Sequence, residues 1–329
     1  MSNSSCADED LIIRFDSLNQ KAAQFVYLLA IILTFITTYF AVKILFTQSF
    51  FEISTKILLV QNLFYANLYQ FFHGIEAVRM LYKSFFMIND PCNFMEPEIE
   101  CVFYYKIILM GSSGMVYGQT GLLIERLCAT FSKDYKKKQS AIKCAVISIL
   151  VLICSSSTGR LIVWDDPIDK YNFACYIPPK ESYIRANHYF TMCAVLSTIN
   201  FCISTFILKY NKRCEYQTRF KVGARFQKQE LIESTKAICF LTVSQFVAVF
   251  LNSFGMIVLV YIQESISHRI FNLLVVWLYA FPIVVLMFPV ILVHQIRSSR
   301  WRRALKIKVI KNEKQTQDDH MKHMKNMWI

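Results

Sequence analysis

The stretch "KAICFLTVSQFVAVFLNSFGMIVLVYIQE", Lys236 to Glu264, carries no charged residue between its two ends. A helix needs about 20 apolar residues to cross ~30 Å of hydrocarbon at ~1.5 Å per residue. This stretch exceeds that length and contains no proline, so it reads as a membrane-spanning helix. Working outward, six more uncharged or nearly uncharged runs of similar length appear. With the quoted one they span about 25–45, 57–78, 102–124, 141–163, 186–208, 237–262 and 271–294. The fourth is the most interrupted, bracketed by Lys143 and Arg160 and containing "CSSSTG" from Cys154 to Gly159.

The bulk composition agrees. Of the 329 residues, 55% are hydrophobic and only 18% charged, against about 25% charged in soluble domains. Lipid offers no partner to an open backbone, so the expected spanning elements are helices. The short alternating segments of a membrane barrel are absent. The expected fold class is an all-α membrane protein, a seven-transmembrane helix bundle. Residues 1–24 form an N-terminal tail, 25–294 the bundle and 295–329 a basic tail. The first 24 residues are polar, with Asp8, Glu9, Asp10 and Asp16, and show no cleavable signal peptide. The net charge of +13 does not imply nucleic acid, because the cations sit in short connections between apolar runs.

Those cations are sorted by side. Twenty-six of the 36 Lys and Arg residues lie in the first, third and fifth connections and the C-terminal tail. Eight lie in the N-terminal tail and the even connections, and Lys106 and Arg160 fall within runs. The positive-inside rule then puts the C-terminus in the cytoplasm and the N-terminus outside. On the outer side stand the sequon "NSS" at Asn3, a candidate glycosylation site, and four cysteines, Cys6, Cys92, Cys101 and Cys175. Disulfides persist there. A bridge from Cys101 to Cys175 would pin the fourth connection over the bundle, with Cys6 and Cys92 as a second pair. Four cysteines permit three pairings, and sequence does not choose.

The third run ends in "LLIERLCATFSKDYKKK", Leu122 to Lys138. Cys101 at its outer mouth and Arg126 at its inner mouth are 25 residues apart, about 37 Å of helix. Glu125 adjoins Arg126, and "KQELIESTK" sets Glu230 and Glu233 on one face just before the sixth run. An ion pair from Arg126 to one of them would clamp the inner ends of helices three and six, and its release would open a cleft on that side.

With these residues in view, the chain resembles the nematode serpentine receptor class alpha chemoreceptors, a family of seven-transmembrane G-protein-coupled receptors. The segments that carry the likeness are "SSCADEDLIIRFDSLNQK", "NDPC" (Asn89 to Cys92), "IERLCATF" (Ile124 to Phe131) and "CYIPPK" from Cys175, and it extends over essentially the whole chain. The resemblance implies detection of a small-molecule chemical cue at the plasma membrane of sensory neurons, with signalling through a heterotrimeric G protein. It implies no cofactor, no metal and no enzymatic activity. The sequence departs from the rhodopsin-like pattern: Pro289 in "FPVILVHQ" lacks the preceding Asn, the sixth run has no proline, and the second offers Asn62 and Asn67 but no central aspartate. Glu125 stands where aspartate is commoner.

Polar groups within spans are costly and mark function. The ligand-pocket candidates are His73, Glu76, Lys106, Gln119, His188, Gln245, Asn252 and Tyr279, with Glu76 and Lys106 expected as a pair near the outer surface. Gly114, Gly118 and Gly121 share one face of the third run for close packing. After residue 294, Trp301, Leu305 and Val309 recur every fourth position among Arg and Lys, which suits a short amphipathic helix on an anionic leaflet before an unstructured tail. No HxxxH or GxSxG occurs, and the seventh run has no lysine for a retinal Schiff base. A ligand-gated channel or transporter is the alternative, but neither internal repeats nor broken helices with mid-membrane charge appear.

Overall fold

A computed structural model describes residues 6–7, 9–49, 51–88, 90–92, 94–131, 137–167, 170–217, 222–262, 265–278 and 281–327. The helices are α1 (Glu9–Asp16), α2 (Leu18–Thr47), α3 (Ile53–Phe86), α4 (Glu98–Phe131), α5 (Lys137–Ile162), α6 (Tyr183–Gln217), α7 (Val222–Ile262), α8 (His268–Leu278) and α9 (Phe281–Met327). Two short strands, β1 (Glu96–Pro97) and β2 (Tyr171–Asn172), pair antiparallel. A 3₁₀ turn, Lys180–Ser182, precedes α6. The closest packing is between α3 and α4, α6 and α7, α4 and α5, and α2 and α9.

The burial pattern is that of a bundle in lipid. Exposed positions on α2 are Phe25, Leu29, Ile32 and Ile36, and those on α5 are Ile149, Leu150, Leu152 and Ile153. The polar side chains Thr34, Asn62, Gln70, Gln119 and Asn200 are buried. A soluble bundle would show the reverse. Six described helices are long and apolar enough to cross a membrane: α2, α4, α5, α6, α7 and α9. The second predicted run, now within α3, falls short of that measure because it carries Gln61, Asn62, Asn67, Gln70, His73 and Glu76. Four of these, Asn62, Gln70, His73 and Glu76, are turned into the bundle, where neighbouring helices rather than lipid receive them.

One boundary differs from the sequence reading. The described residues of the seventh run, 271–294, fall in α8, which ends at Leu278, and α9, which starts at Phe281. Beyond residue 294 no separate amphipathic helix forms and the tail is not irregular, since α9 continues to Met327. The chain from 290 to 327 contains neither Gly nor Pro, so nothing in the backbone chemistry interrupts it.

Glycines set the α3–α4 distance. A Cβ on Gly111 would stand 2.8 Å from the Tyr69 backbone nitrogen, one on Gly114 2.3 Å from the Tyr65 ring, and one on Gly118 2.4 Å from Asn62 Oδ1. Gly121, expected on that same face, instead meets Ile147 and Val151 of α5. The main apolar cluster lies around Leu45, Leu59, Leu63, Leu122, Leu241 and Leu292. A smaller one at the opposite end joins Phe15, Met80, Phe94 and Ala174.

Candidate functional site

Two constellations stand out, at opposite ends of α3. The first is a cavity of about 170 Å³ whose walls include Gln20, Gln24 and Tyr27 from α2, His73 from α3, and Phe173 and Tyr176 from the segment after α5. Ser17 starts α2: its hydroxyl donates to the Arg14 carbonyl at 2.6 Å and accepts from the Gln20 amide at 3.3 Å. This cap puts Gln20, Gln24 and Tyr27, at i, i+4 and i+7, on one helical face. The Tyr27 hydroxyl donates to the Val276 carbonyl of α8. The His73 ring stacks on Tyr69 with centroids 5.4 Å apart, and Tyr176 lies 5.4 Å from it on another side. His73 Nδ1 and Gln20 Oε1 are buried with no hydrogen-bond partner among the described residues.

A charged network positions Tyr176. Disulfides join Cys101 to Cys175 and Cys6 to Cys92. The Cys175 amide donates to Glu76 Oε2 at 3.2 Å. Glu76 Oε1 accepts from Arg79 at 3.2 Å, Arg79 reaches Glu96 at 3.4 Å, and Lys83 meets Glu96 at 2.8 Å. Arg79 also lies over the Tyr104 ring, 4.6 Å from its centroid. The segment is thereby held to α3 by a carboxylate, to α4 by a covalent bond and to β1 by the two-stranded sheet. Glu96 approaches the sulfurs of Cys101 and Cys175, but both are spent in the disulfide and offer no thiolate to a metal.

The second constellation is the Arg126 cluster. Arg126 is 1% exposed. Its Nε and Nη2 each donate to a Glu125 oxygen at 2.6 Å, a two-point pairing. Nη2 also donates to Thr55 Oγ1 and Nη1 to Ser234 Oγ at 2.8 Å. Ser54 and Thr55 hydroxyls donate to Glu125 at 3.1 and 3.3 Å. A buried guanidinium needs a neutralising charge and filled donors, and α3, α4 and α7 supply them together.

Several expected partners are replaced. Arg126 reaches α7 through Ser234, and not through Glu233. Consecutive helical side chains point about 100° apart, and Glu233 is turned to α9, accepting from Ser299 at 2.7 Å and Arg303 at 2.9 Å. Glu76 binds Arg79 and Cys175 rather than Lys106, which is partly buried and packs beside Gly159. His188 is exposed on α6 and is not among the residues lining either described cavity. Gln119 lies deeper, accepting from Thr242 at 3.3 Å, and Gln245 lines a separate cavity of about 30 Å³ with Asn62 and Met115. Asn3 and Tyr279, and the side chains of Glu230 and Asn252, lie outside the described residues. Of the described pocket candidates, only His73 is among the residues lining the larger cavity. Gln20 and Gln24 were missed because residues before 25 read as tail, although with Tyr27 their spacing was already helical.

The comparisons with known proteins agree with this architecture. The family model described as "Serpentine type 7TM GPCR chemoreceptor Sra" matches residues 1–328. Serpentine receptor class alpha-6 of Caenorhabditis elegans is 53% identical over 328 residues, covering 100% of both chains. Class alpha-3 of the same nematode is 45% identical with the same coverage. Class alpha-1 is 38% identical, covering 100% of this chain and 99% of its own. The chain belongs to the serpentine class alpha family of seven-transmembrane G-protein-coupled chemoreceptors.

Proposed function

We propose that this receptor binds a small external chemical cue in the cavity lined by Tyr27, His73 and Tyr176, and signals through a heterotrimeric G protein engaged at the Arg126 end. The observation that carries the reading is the separation of roles along α3. A lined cavity under a disulfide-tied segment lies at one end, and a buried, three-helix arginine cluster at the other. The lysine and arginine asymmetry supports an outer cavity and a cytoplasmic arginine cluster, since the connections flanking the cluster are the basic ones. The plasma membrane of chemosensory neurons is the setting the family implies. No observation favours a channel or transporter.

In this reading the cue stabilises one arrangement of α2, α3 and the Cys175 segment. That arrangement weakens the Arg126–Ser234 contact, and α7 moves to admit the G protein. The cue shifts the equilibrium only by its differential affinity for the two states.

The test is expression of the full chain in cultured cells with a second-messenger readout over a panel of small soluble and volatile compounds. An active compound should lose its effect in His73→Trp, which fills the cavity, at unchanged surface expression. A response that survives His73→Trp, or a conductance without second messenger, would refute the proposal.

A further inference from the structure

The walls of the larger cavity specify more than its presence. Its volume of about 170 Å³ is close to the ~150 Å³ at which an apolar protein cavity accepts a single benzene ring. Rings of Phe15, Tyr27, His73, Phe173 and Tyr176 border it, supplying the faces and edges that an aromatic guest meets in offset or edge-on packing. Gln20 and His73, 5% and 4% exposed, line it and carry an Oε1 and an Nδ1 without a partner among the described residues. Unpaired polar atoms in a buried site are costly, and a guest with a donor removes that cost. Among the described residues, no Asp or Glu lines the cavity. The nearby carboxylate of Glu76 is already committed to Arg79 and the Cys175 amide. A cation would therefore enter without a counter-charge. Arg14, the one charged residue among the described lining residues, is itself engaged and is not a free site for an anion.

We propose that the cavity selects an uncharged single-ring molecule bearing one hydrogen-bond donor, of the phenol or arylmethanol class, with Gln20 receiving the donor. This rests on the reading of that cavity as the ligand site. Two-ring compounds exceed the volume. Aryl ammonium ions meet no carboxylate, and saturated hydrocarbons leave the Gln20 oxygen unpaired.

The experiment is saturation-transfer NMR titration of the full-length receptor in lipid nanodiscs, with empty nanodiscs subtracted. The probes are phenol, toluene, benzylammonium, benzoate and 2-naphthol. Phenol should bind about tenfold more tightly than toluene, the value of one hydrogen bond to a buried acceptor. 2-Naphthol, benzylammonium and benzoate should each bind at least about tenfold more weakly than phenol. Gln20→Met, which keeps the side-chain length and removes the acceptor, should abolish the phenol preference and leave toluene unchanged. Absence of phenol binding, equal binding of phenol and benzylammonium, or a phenol preference that persists in Gln20→Met would overturn the proposal. If Gln20→Met loses toluene as well, the size and charge series on the unmodified receptor decides alone. Phenol binding with this dependence but no second-messenger response would sink the signalling reading and leave this one. Signalling by compounds indifferent to Gln20 would do the opposite.

Discussion

Gly114→Ala separates packing from helix propensity because the two predict opposite signs. Alanine in place of glycine within a helix gains up to about 1 kcal/mol in propensity. The new Cβ, however, would lie 2.3 Å from both Cγ and Cδ1 of Tyr65, where carbon contacts are ordinarily about 3.5–4.0 Å. Tyr65 is fully buried, and its hydroxyl accepts from Ser155 Oγ at 3.1 Å. Relief of more than 1 Å of overlap requires either parting α3 from α4 or turning the ring and losing Ser155. Overpacking costs about 1–3 kcal/mol and the hydroxyl contact about 1 kcal/mol, so a net loss of about 1–3 kcal/mol is expected after propensity is credited. At about 2 °C or more per kcal/mol for a chain of this size, purified receptor should melt roughly 2–6 °C lower. Gly74→Ala is the internal control, because its Cβ would meet Ile31 Cδ1 at an ordinary 3.5 Å, and it should melt at or above the parent. Were Gly114→Ala to melt as high as Gly74→Ala, the close approach of α3 and α4 would be disproved.

Ser234→Ala removes the Arg126 contact to α7 and should raise basal second-messenger output several-fold, up to about tenfold for one buried hydrogen bond; unchanged output at equal surface expression would count against the switch. Glu233→Gln acts on Ser299 and Arg303 instead and should raise it less. Glu76→Ala frees the Cys175 amide and should lower agonist potency by about tenfold, whereas Glu76→Gln keeps an acceptor and should restore most of it; equal defects in the two would show that the Cys175 contact is not what matters. Cys101→Ser opens a bridge of sequence separation 74, worth about 4 kcal/mol in the chain-entropy picture, and surface biotinylation should find little receptor delivered.

The bundle was legible in the apolar runs because membrane length is a one-dimensional property, readable without knowing any neighbour. Arg126 and Glu125 were legible for a similar reason: two charges at the mouth of such a run must be paired. Their partners were not, because the choice between Glu233 and Ser234 depends on the rotation of α7 about its axis, which tertiary packing sets. The cavity was the least legible. His73 was found from its cost in a span, but Gln20 and Gln24 sit where polarity resembles a tail, and Tyr176 reaches the site only through a disulfide and the Glu76 carboxylate. Continuity of α9 past residue 294 was missed because a change from apolar to basic composition suggests a boundary, while the backbone contains no residue that would impose one.

Among the long described helices, α3 alone lacks a stretch apolar enough to qualify as a membrane span, and its polar residues follow one physical logic. Thr55 holds Arg126. Asn62 and Tyr65 fit against Gly118 and Gly114. Gln70 donates to the Pro282 carbonyl of α9 at 2.7 Å and to Thr34 of α2 at 3.0 Å. His73 lines the cavity and Glu76 holds the Cys175 segment. From Thr55 to Glu76 is about 32 Å of helix, and each of these polar groups lies in the buried stripe. Polar residues inside a membrane are costly and mark function; here Thr55, Tyr65 and Gln70 bond to other helices, Glu76 holds the Cys175 segment, and His73 Nδ1 stays unpartnered among the described residues beside the cavity. One helix with contacts to α2, α4, α9 and the Cys175 segment carries both His73 and Thr55, and a shared element of this kind is what a receptor needs to connect a ligand at one end with a switch at the other.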